Sequence, residues 1–378
     1  MQPTLWISTA AELEQGLALL SRSDFVALDT EFMRERTYYA GLCLIQAATP
    51  DACIVIDPLA LRELQPLWQF LSDRSRVKVL HAARQDLEVL SLAMSPAGNS
   101  ASTIEAMPIP GPIFDTQTAA GLLGQPAQIG YASLVGERLG HVLPKGQTRT
   151  DWSRRPLSAE QLVYAADDVR YLALLYPNLL EALQAAGRLQ WQQEEAVELE
   201  NPRLYRVDPA DAWRRLKGLE RLRPEQRATA KLLAGWRESR AMSKDRPRGW
   251  ILSDESLRDI AERLPTTLPA LESIRSLSPG FIDKRADEML ALVAQGLSNA
   301  ANEGPSVMPS RREPEQTARV TKLMAFVRAE GARQAIAPEL LATRRDAEQL
   351  VFSGRSDHLL QGWRREVIGE RLVALATR

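Results

Sequence analysis

Cysteine is almost missing from this chain: Cys43 and Cys53 are the only two in 378 residues. Two thiols cannot build the disulfide framework of a small secreted domain, so a reducing cytoplasm is the expected compartment. Histidine is scarce as well. His81, His141 and His358 are scattered and remote in sequence from both cysteines, which excludes a Cys/His zinc site. No apolar run approaches the roughly 20 residues that a bilayer demands, so no membrane span is expected. The first residues, MQPTLWISTAAELEQ, lack a basic stretch followed by an apolar one, so no secretory signal is expected either.

Net charge is nearly absent too, at −1, but the sum conceals a division. Residues 1–200 hold 15 Lys+Arg against 24 Asp+Glu, whereas residues 201–378 hold 32 against 24. An acidic front and a basic rear suggest a carboxylate-rich catalytic part followed by modules that hold a polyanion. With 45% hydrophobic and 25% charged residues the composition is that of a globular protein, and the length calls for two or three domains.

The front half reads as α/β. Phe25–Leu28 runs into Asp29-Thr30-Glu31-Phe32 as one strand, and Leu42–Ala47 and Cys53–Asp57 follow as two more, separated by a Thr-Pro-Asp turn. A helix near 61–71 leads to a fourth strand, Val77–His81, and then to a helix near 84–93. This exchange of strands and helices predicts a mixed sheet flanked by helices. Residues 95–113, rich in Ser, Ala, Gly and Pro, read as a surface loop. Further helices are expected at 115–124 and 131–140. Ser158 with Gln161 three residues on is a capping box, opening a helix that Pro177 should bend or end near 176. From 213 onward the pattern is helical, and Lys231–Arg237 resembles Lys322–Arg328. Two copies of a small all-α domain are therefore expected, divided by the Ser/Asn/Gly/Pro-rich stretch 298–314. The expected boundaries are 1–200, 211–297 and 315–378.

Three pieces carry chemistry. Asp29 and Glu31, two apart on a strand, point to one face at the end of a buried apolar run. Asp86 stands near the start of the helix after the fourth strand. Tyr164 and Asp168, at i and i+4, share one face of the capped helix, while Asp167 turns away. Taken singly, each has a plainer explanation: a solvated strand edge, a helix-start acid, a core tyrosine with a salt-bridged aspartate. Together, four converging carboxylates repel each other unless cations neutralise them, and hard oxygen ligands select Mg²⁺ or Mn²⁺. A pair of such ions is the arrangement that serves phosphodiester hydrolysis. With an ordinary pKa of about 10, Tyr164 is a poor base, so positioning of the attacking water is its expected part.

Asp29-Thr-Glu31-Phe, His81-Ala-Ala-Arg-Gln-Asp86-Leu-Glu and Tyr164-Ala-Ala-Asp-Asp168 resemble, in order, the three motifs of the DEDD exonuclease superfamily in its tyrosine-bearing version. Lys145–Leu157 and Phe114-Asp115-Thr116-Gln117 are similar to segments that the ribonuclease D family carries before its third motif. The helical repeats resemble HRDC (helicase and ribonuclease D C-terminal) domains. The resemblance implies a ribonuclease H-like exonuclease domain followed by two all-α domains. It implies removal of 5′-mononucleotides from RNA with a free 3′ end, transfer RNA precursors foremost. Asp29, Glu31, Asp86 and Asp168 are then ligands of two divalent ions, with Tyr164 beside them and no organic cofactor. A 3′→5′ exodeoxyribonuclease and a non-catalytic nucleic-acid-binding protein are the alternatives on this fold. A monomer is expected.

Around these five positions, Phe32, Lys145, Arg149 and Arg155 are candidates for substrate contact, the three cations through phosphates and Phe32 against the terminal base. Trp152 is expected beneath its loop, Asp115 as a helix cap and His81 as a satisfied residue at a strand end.

Overall fold

The structure, a computed structural model, describes residues 3–95, 107–144, 150–303 and 314–377. Its sheet is built from β1 (Thr4–Ile7), β2 (Phe25–Met33), β3 (Gly41–Ala48), β4 (Cys53–Ile56), β5 (Val77–Leu80) and β6 (Ile113–Asp115), in the order β1-β4-β3-β2-β5-β6. β3 pairs antiparallel with β2 and β4, and the other pairs are parallel, so the sheet is mixed. Helices α1 (Ala10–Leu20), α2 (Gln65–Ser72) and α3 (Arg84–Met94) belong to one side of it. Helices α4 (Thr116–Leu122), α5 (Tyr131–Leu139) and α6 (Ala159–Ala185) belong to the other, with α7 (Leu189–Leu199) following.

Because both faces are covered, β2 is apolar on both. Phe25 and Ala27 join the core under α4–α6, and Val26 and Leu28 join the core under α1–α3. Burying each large side chain of this kind contributes about 1.5–3 kcal/mol. The alternation fixes what comes next: Asp29 and Glu31 continue the series facing α6, and Thr30 continues the series facing α3.

The Ser158 capping box is present, with Ser158 N donating to Gln161 Oε1 at 2.8 Å and Gln161 N to Ser158 Oγ at 3.2 Å. The expectation that Pro177 bends or ends this helix fails in one respect, for α6 continues to Ala185. Val169, Leu172, Leu175, Leu179 and Leu183 on both sides of the proline are all buried, and that shared apolar stripe outweighs one missing hydrogen bond. Two strands escaped the sequence reading, β1 and β6; both are short edge strands of three or four residues. Of the segment 95–113, residues 96–106 lie outside the described residues, and its end becomes β6.

Two sets of helices follow. α8 (Pro224–Lys244), α9 (Arg248–Ile251), α10 (Asp254–Arg263), α11 (Leu268–Glu272) and α12 (Pro279–Ser298) enclose a core of their own around Leu233, Ile260 and Val293. α13 (Pro314–Gln334), α14 (Pro338–Leu341) and α15 (Arg344–Ser353) repeat the first three in length and order. In both sets a left-handed residue follows the long helix, Asp245 (φ 47°) and Ala335 (φ 48°). Among the described residues the second set has no separate core. Val320, Leu323, Val327 and Leu350 belong to the same apolar cluster as Leu134, Leu172 and Leu179. Arg188 reinforces the seam through the carbonyls of Leu122 and Ala335 at 2.6 and 2.9 Å, and Trp191 stacks on Trp363 at 4.8 Å. The first set meets the catalytic part through polar groups: the backbone N–H groups of Tyr38 and Tyr39 both donate to Asp245 Oδ1 at 3.0 Å, and the Tyr38 hydroxyl donates to buried Glu238. Among the described residues no helix is long and apolar enough to cross a membrane.

Candidate active site

β2 delivers Asp29 and Glu31 toward α6, and α6 delivers Asp168 toward β2. One carboxylate oxygen from each of the three lies within 4.8 Å of the others. Tyr164, one turn before Asp168, hydrogen-bonds its carboxylate through the phenol O–H. Asp86 arrives from the opposite layer, in the first turn of α3, and accepts a 2.6 Å hydrogen bond from Thr30 Oγ1. Asp29, Glu31, Asp86, Phe32 and Tyr164 line one cavity of about 710 Å³.

The electrostatics follow from crowding acids in a poorly hydrated cleft. Burial, and then the charges of Asp86, Asp168 and Glu31, hold the Asp29 carboxyl well above the usual range. Burial with Asp168 and Asp86 pushes Glu31 up to about 8. Burial lifts Asp168 to about 7 despite the Tyr164 O–H, and lifts Asp86 to about 6 despite the Thr30 hydroxyl. The same burial and the neighbouring anions keep the Tyr164 phenol protonated far into alkaline pH. Among the described residues, Arg84 is the one Lys or Arg lining this cavity. A set of hard oxygen donors whose charges the protein leaves unmatched fits divalent cations of the magnesium type, and fits softer metals poorly.

Two supports of the site are not visible as motifs. Thr30, the middle residue of the first motif, fixes Asp86 in place. Asp115 caps α4, accepting from Gln117 N at 2.8 Å, and also accepts from Ala82 N and Ala83 N at 3.1 and 3.0 Å. Ala82 has φ 55°, a left-handed conformation costing about 1–2 kcal/mol for a residue with a Cβ. Asp115 therefore staples the strained turn that starts α3 and aims Asp86. The Phe114-Asp115-Thr116-Gln117 string was the only sequence signal for it.

The secondary candidates divide. Phe32, half-buried just past a bulge in β2, does line the cavity. Arg155 requires a correction. All five of its N–H donors have protein partners: Asp57 at 2.7 Å twice, and the carbonyls of Cys43, Trp152 and Arg154 at 2.8 Å. No donor remains for a phosphate, and Arg155 acts instead as a clamp between its own loop and the strands β3 and β4. Lys145 and Arg149 lie outside the described residues. Trp152 is buried against the Tyr164 ring at 6.1 Å, and His81 is held by Thr116 Oγ1 and the Ile129 carbonyl.

A mixed sheet that brings three acids to one helix face and a fourth from the other layer defines a 3′→5′ exonuclease domain, and the family model of that description matches residues 4–184. The HRDC domain model matches residues 226–293. The chain is 38% identical over 372 residues to ribonuclease D of Nitrobacter hamburgensis, covering 98% of this chain and 94% of the relative. It is 37% identical to ribonuclease D of Pseudomonas paraeruginosa over 379 residues, 97% of this chain and 96% of that one. Its structure superposes on the crystal structure of Escherichia coli RNase D with a TM-score of 0.85 and 31% identity, over 100% of this chain and 99% of that one. The chain belongs to the ribonuclease D family of 3′→5′ exoribonucleases.

Proposed function

We propose that Asp29, Glu31, Asp86 and Asp168 hold two divalent cations, Mg²⁺ or Mn²⁺, and that Tyr164 orients the water that attacks the last phosphodiester of an RNA 3′ end. When bound, the cations supply an activated water and stabilise charge on the leaving oxygen, releasing a 5′-mononucleotide. The observation that carries this reading is the cluster of Asp29, Glu31 and Asp168 within 4.8 Å, half-buried and without matching charge among the described residues. Tyr164 keeps its proton at neutral pH, so it donates to Asp168 and positions water as a hydrogen-bonding group rather than as a base. Thr30 and Asp115 hold Asp86 at the other side of the groove, and Phe32 offers an apolar face to the terminal base.

In this reading residues 1–200 form the catalytic domain and 211–297 and 315–378 two HRDC-type domains. The first is supported by the family match and the second by the repeated helix pattern. The E. coli relative is described as an exoribonuclease involved in structured RNA processing, which supports transfer RNA precursors as substrates of this chain. The reading takes the working form as a cytoplasmic monomer, in keeping with the two free, buried thiols. The test uses 5′-end-labelled RNA and matched DNA with Mg²⁺. Stepwise shortening of RNA from its 3′ end, faster than of DNA, is the expected result; equal rates on both would remove the preference for RNA.

A further inference from the structure

Three cavities of the molecule share lining arginines in series. The catalytic groove and a cavity of about 500 Å³ between the catalytic part and the first helical set are both lined by Arg84. That middle cavity and a third, of about 940 Å³ on the first helical set, are both lined by Arg215. Charge changes sign along this series. Among the described residues, Asp29, Glu31, Asp86 and Asp115 with one arginine line the groove, whereas five arginines against Glu35 and Glu88 line the middle cavity. Five cations against Asp254 and Glu262 line the third.

We propose that these cavities form a track for single-stranded RNA, with the nucleotides upstream of the scissile bond passing Arg84, then Arg215 and Arg248, then Arg221 and Arg263. The proposal rests on the catalytic reading above and extends it to the path of the substrate. A strand whose 3′ end lies among four acids is repelled there, so its next phosphates need cations close upstream, and the series supplies them in that order. Arg84, Arg221 and Arg263 are exposed and have no ion-pair or side-chain hydrogen-bond partner among the described residues. Arg215 and Arg248 share one ion-pair partner, the buried Glu238 carboxylate, at 3.6 and 3.8 Å, so two cations face one anion at distances beyond hydrogen-bond reach. The half-buried Tyr38 and Tyr39 line the middle cavity, and aromatic faces beside a cationic groove suit stacked, unpaired bases. Such a path reads backbone charge and strandedness rather than sequence.

The test compares the full-length protein with the double variant Arg221→Glu/Arg263→Glu and with Arg355→Glu, a surface reversal in the C-terminal helices. Substrates are Mg²⁺-supported digests of single-stranded RNAs of roughly three and about 15 nucleotides, the longer spanning the groove and the track. The expected result is an about tenfold fall in the kcat/KM ratio of long to short RNA in the double variant alone, with a log–log salt slope shallower by about 2. Equal losses on both lengths, or none on the longer, overturn the track while leaving the catalytic reading intact. A wild-type chain that shortens neither RNA overturns the catalytic reading and the track with it.

A separate observation concerns β3. Gln46 is 0% exposed, both its side-chain amide atoms lack a partner, and it stands directly across the β2–β3 ladder from Asp29. Cross-strand partners share a face with Cβ atoms about 4.5–5.5 Å apart, and an unpaired buried amide costs about 1–3 kcal/mol. We infer that Gln46 is a positioning residue for the Asp29 carboxylate, its amide finding its partner when a cation draws Asp29 into the ligating orientation. Gln46→Met removes the amide and keeps the volume. Thermal melts of the cation-free protein are expected to hold or rise, while the Mn²⁺ concentration that half-saturates the melting shift rises about tenfold, as loss of an outer-shell support does. A lower melting temperature with an unchanged Mn²⁺ midpoint would reduce Gln46 to a packing role.

Discussion

Two groups of carboxylates withdrawn from open solvent in this chain live under opposite conditions. Asp346, at the start of α15, is enclosed by donors: Thr343 N and Oγ1 at 2.8 and 2.6 Å, Ser356 Oγ at 2.9 Å and His358 Nδ1 at 3.1 Å. Glu330 on α13 is tied to Arg333, Gln334 and, at 2.9 Å, Arg371. Hydrogen bonds outweigh burial at both, holding Asp346 far below the usual carboxylate range and Glu330 at about 2. Asp86 is buried as well, and Asp29, Glu31 and Asp168 are half-buried, yet their neighbours are chiefly one another and all four are pushed up. The same residue types therefore do different work. Where the fold supplies the counter-groups, a buried acid ties helices together; where it withholds them, the proposed role of the acid is to hold a cation from solution.

The contrast can be broken at either end. Asp168→Asn should cut the RNA-shortening rate by about 10³-fold or more, the range for removing a preorganised charge from a reaction centre, without lowering the melting temperature of the cation-free protein. Single-turnover digests and thermal melts read the two effects. Asp346→Ala should do the reverse. It strands the donors of Thr343, Ser356 and His358 and should cost about 3 kcal/mol in urea unfolding, while the folded protein keeps its rate per molecule.

The pH dependence sharpens the comparison. Raised acids bind more protons folded than unfolded, so the stability they lend is complete below about pH 4 and is lost as pH rises toward about 8. Lowered acids such as Glu330 act oppositely: their stability is present above about pH 4 and is lost as pH falls toward about 2. Melts in EDTA should therefore show stability climbing out of acid, peaking near pH 4–5 and declining toward pH 8, with Mg²⁺ reversing only the alkaline decline. A flat profile above pH 5 in EDTA would contradict the raised values in the groove.

Much of this was legible in the residues themselves. β2 could be read because its apolar run ends in acids two apart, and α6 because Ser158 and Gln161 announce its start. β1 and β6 were not, since three or four residues at a sheet edge carry too little periodicity. Pro177 misled because local chemistry forecasts a break, whereas burial on both sides of it is a tertiary fact. Arg155 misled for a related reason: a loop arginine beside an acidic motif looks like a phosphate contact until Asp57, 98 residues away in sequence, is found bound to it. Thr30 and Gln46 were invisible as functional groups, and Asp115 was legible only as a helix cap, because their meaning lies in pairings across layers and strands. The two helical repeats look alike in sequence. Yet one shares the catalytic core and the other is latched by Tyr38, Asp245 and Glu238, a difference set by surfaces rather than by helix pattern.

The claim beneath all of this is that the groove's unmatched acids exist to be matched by ions. Titration of the purified chain with Mn²⁺ near pH 8, followed by the loss of free-ion paramagnetic resonance signal, tests it most directly. The account predicts two saturable ions per chain, and fewer, more weakly held, in Asp29→Asn. Absence of saturable binding in the wild type, or identical isotherms for the two proteins, would contradict it.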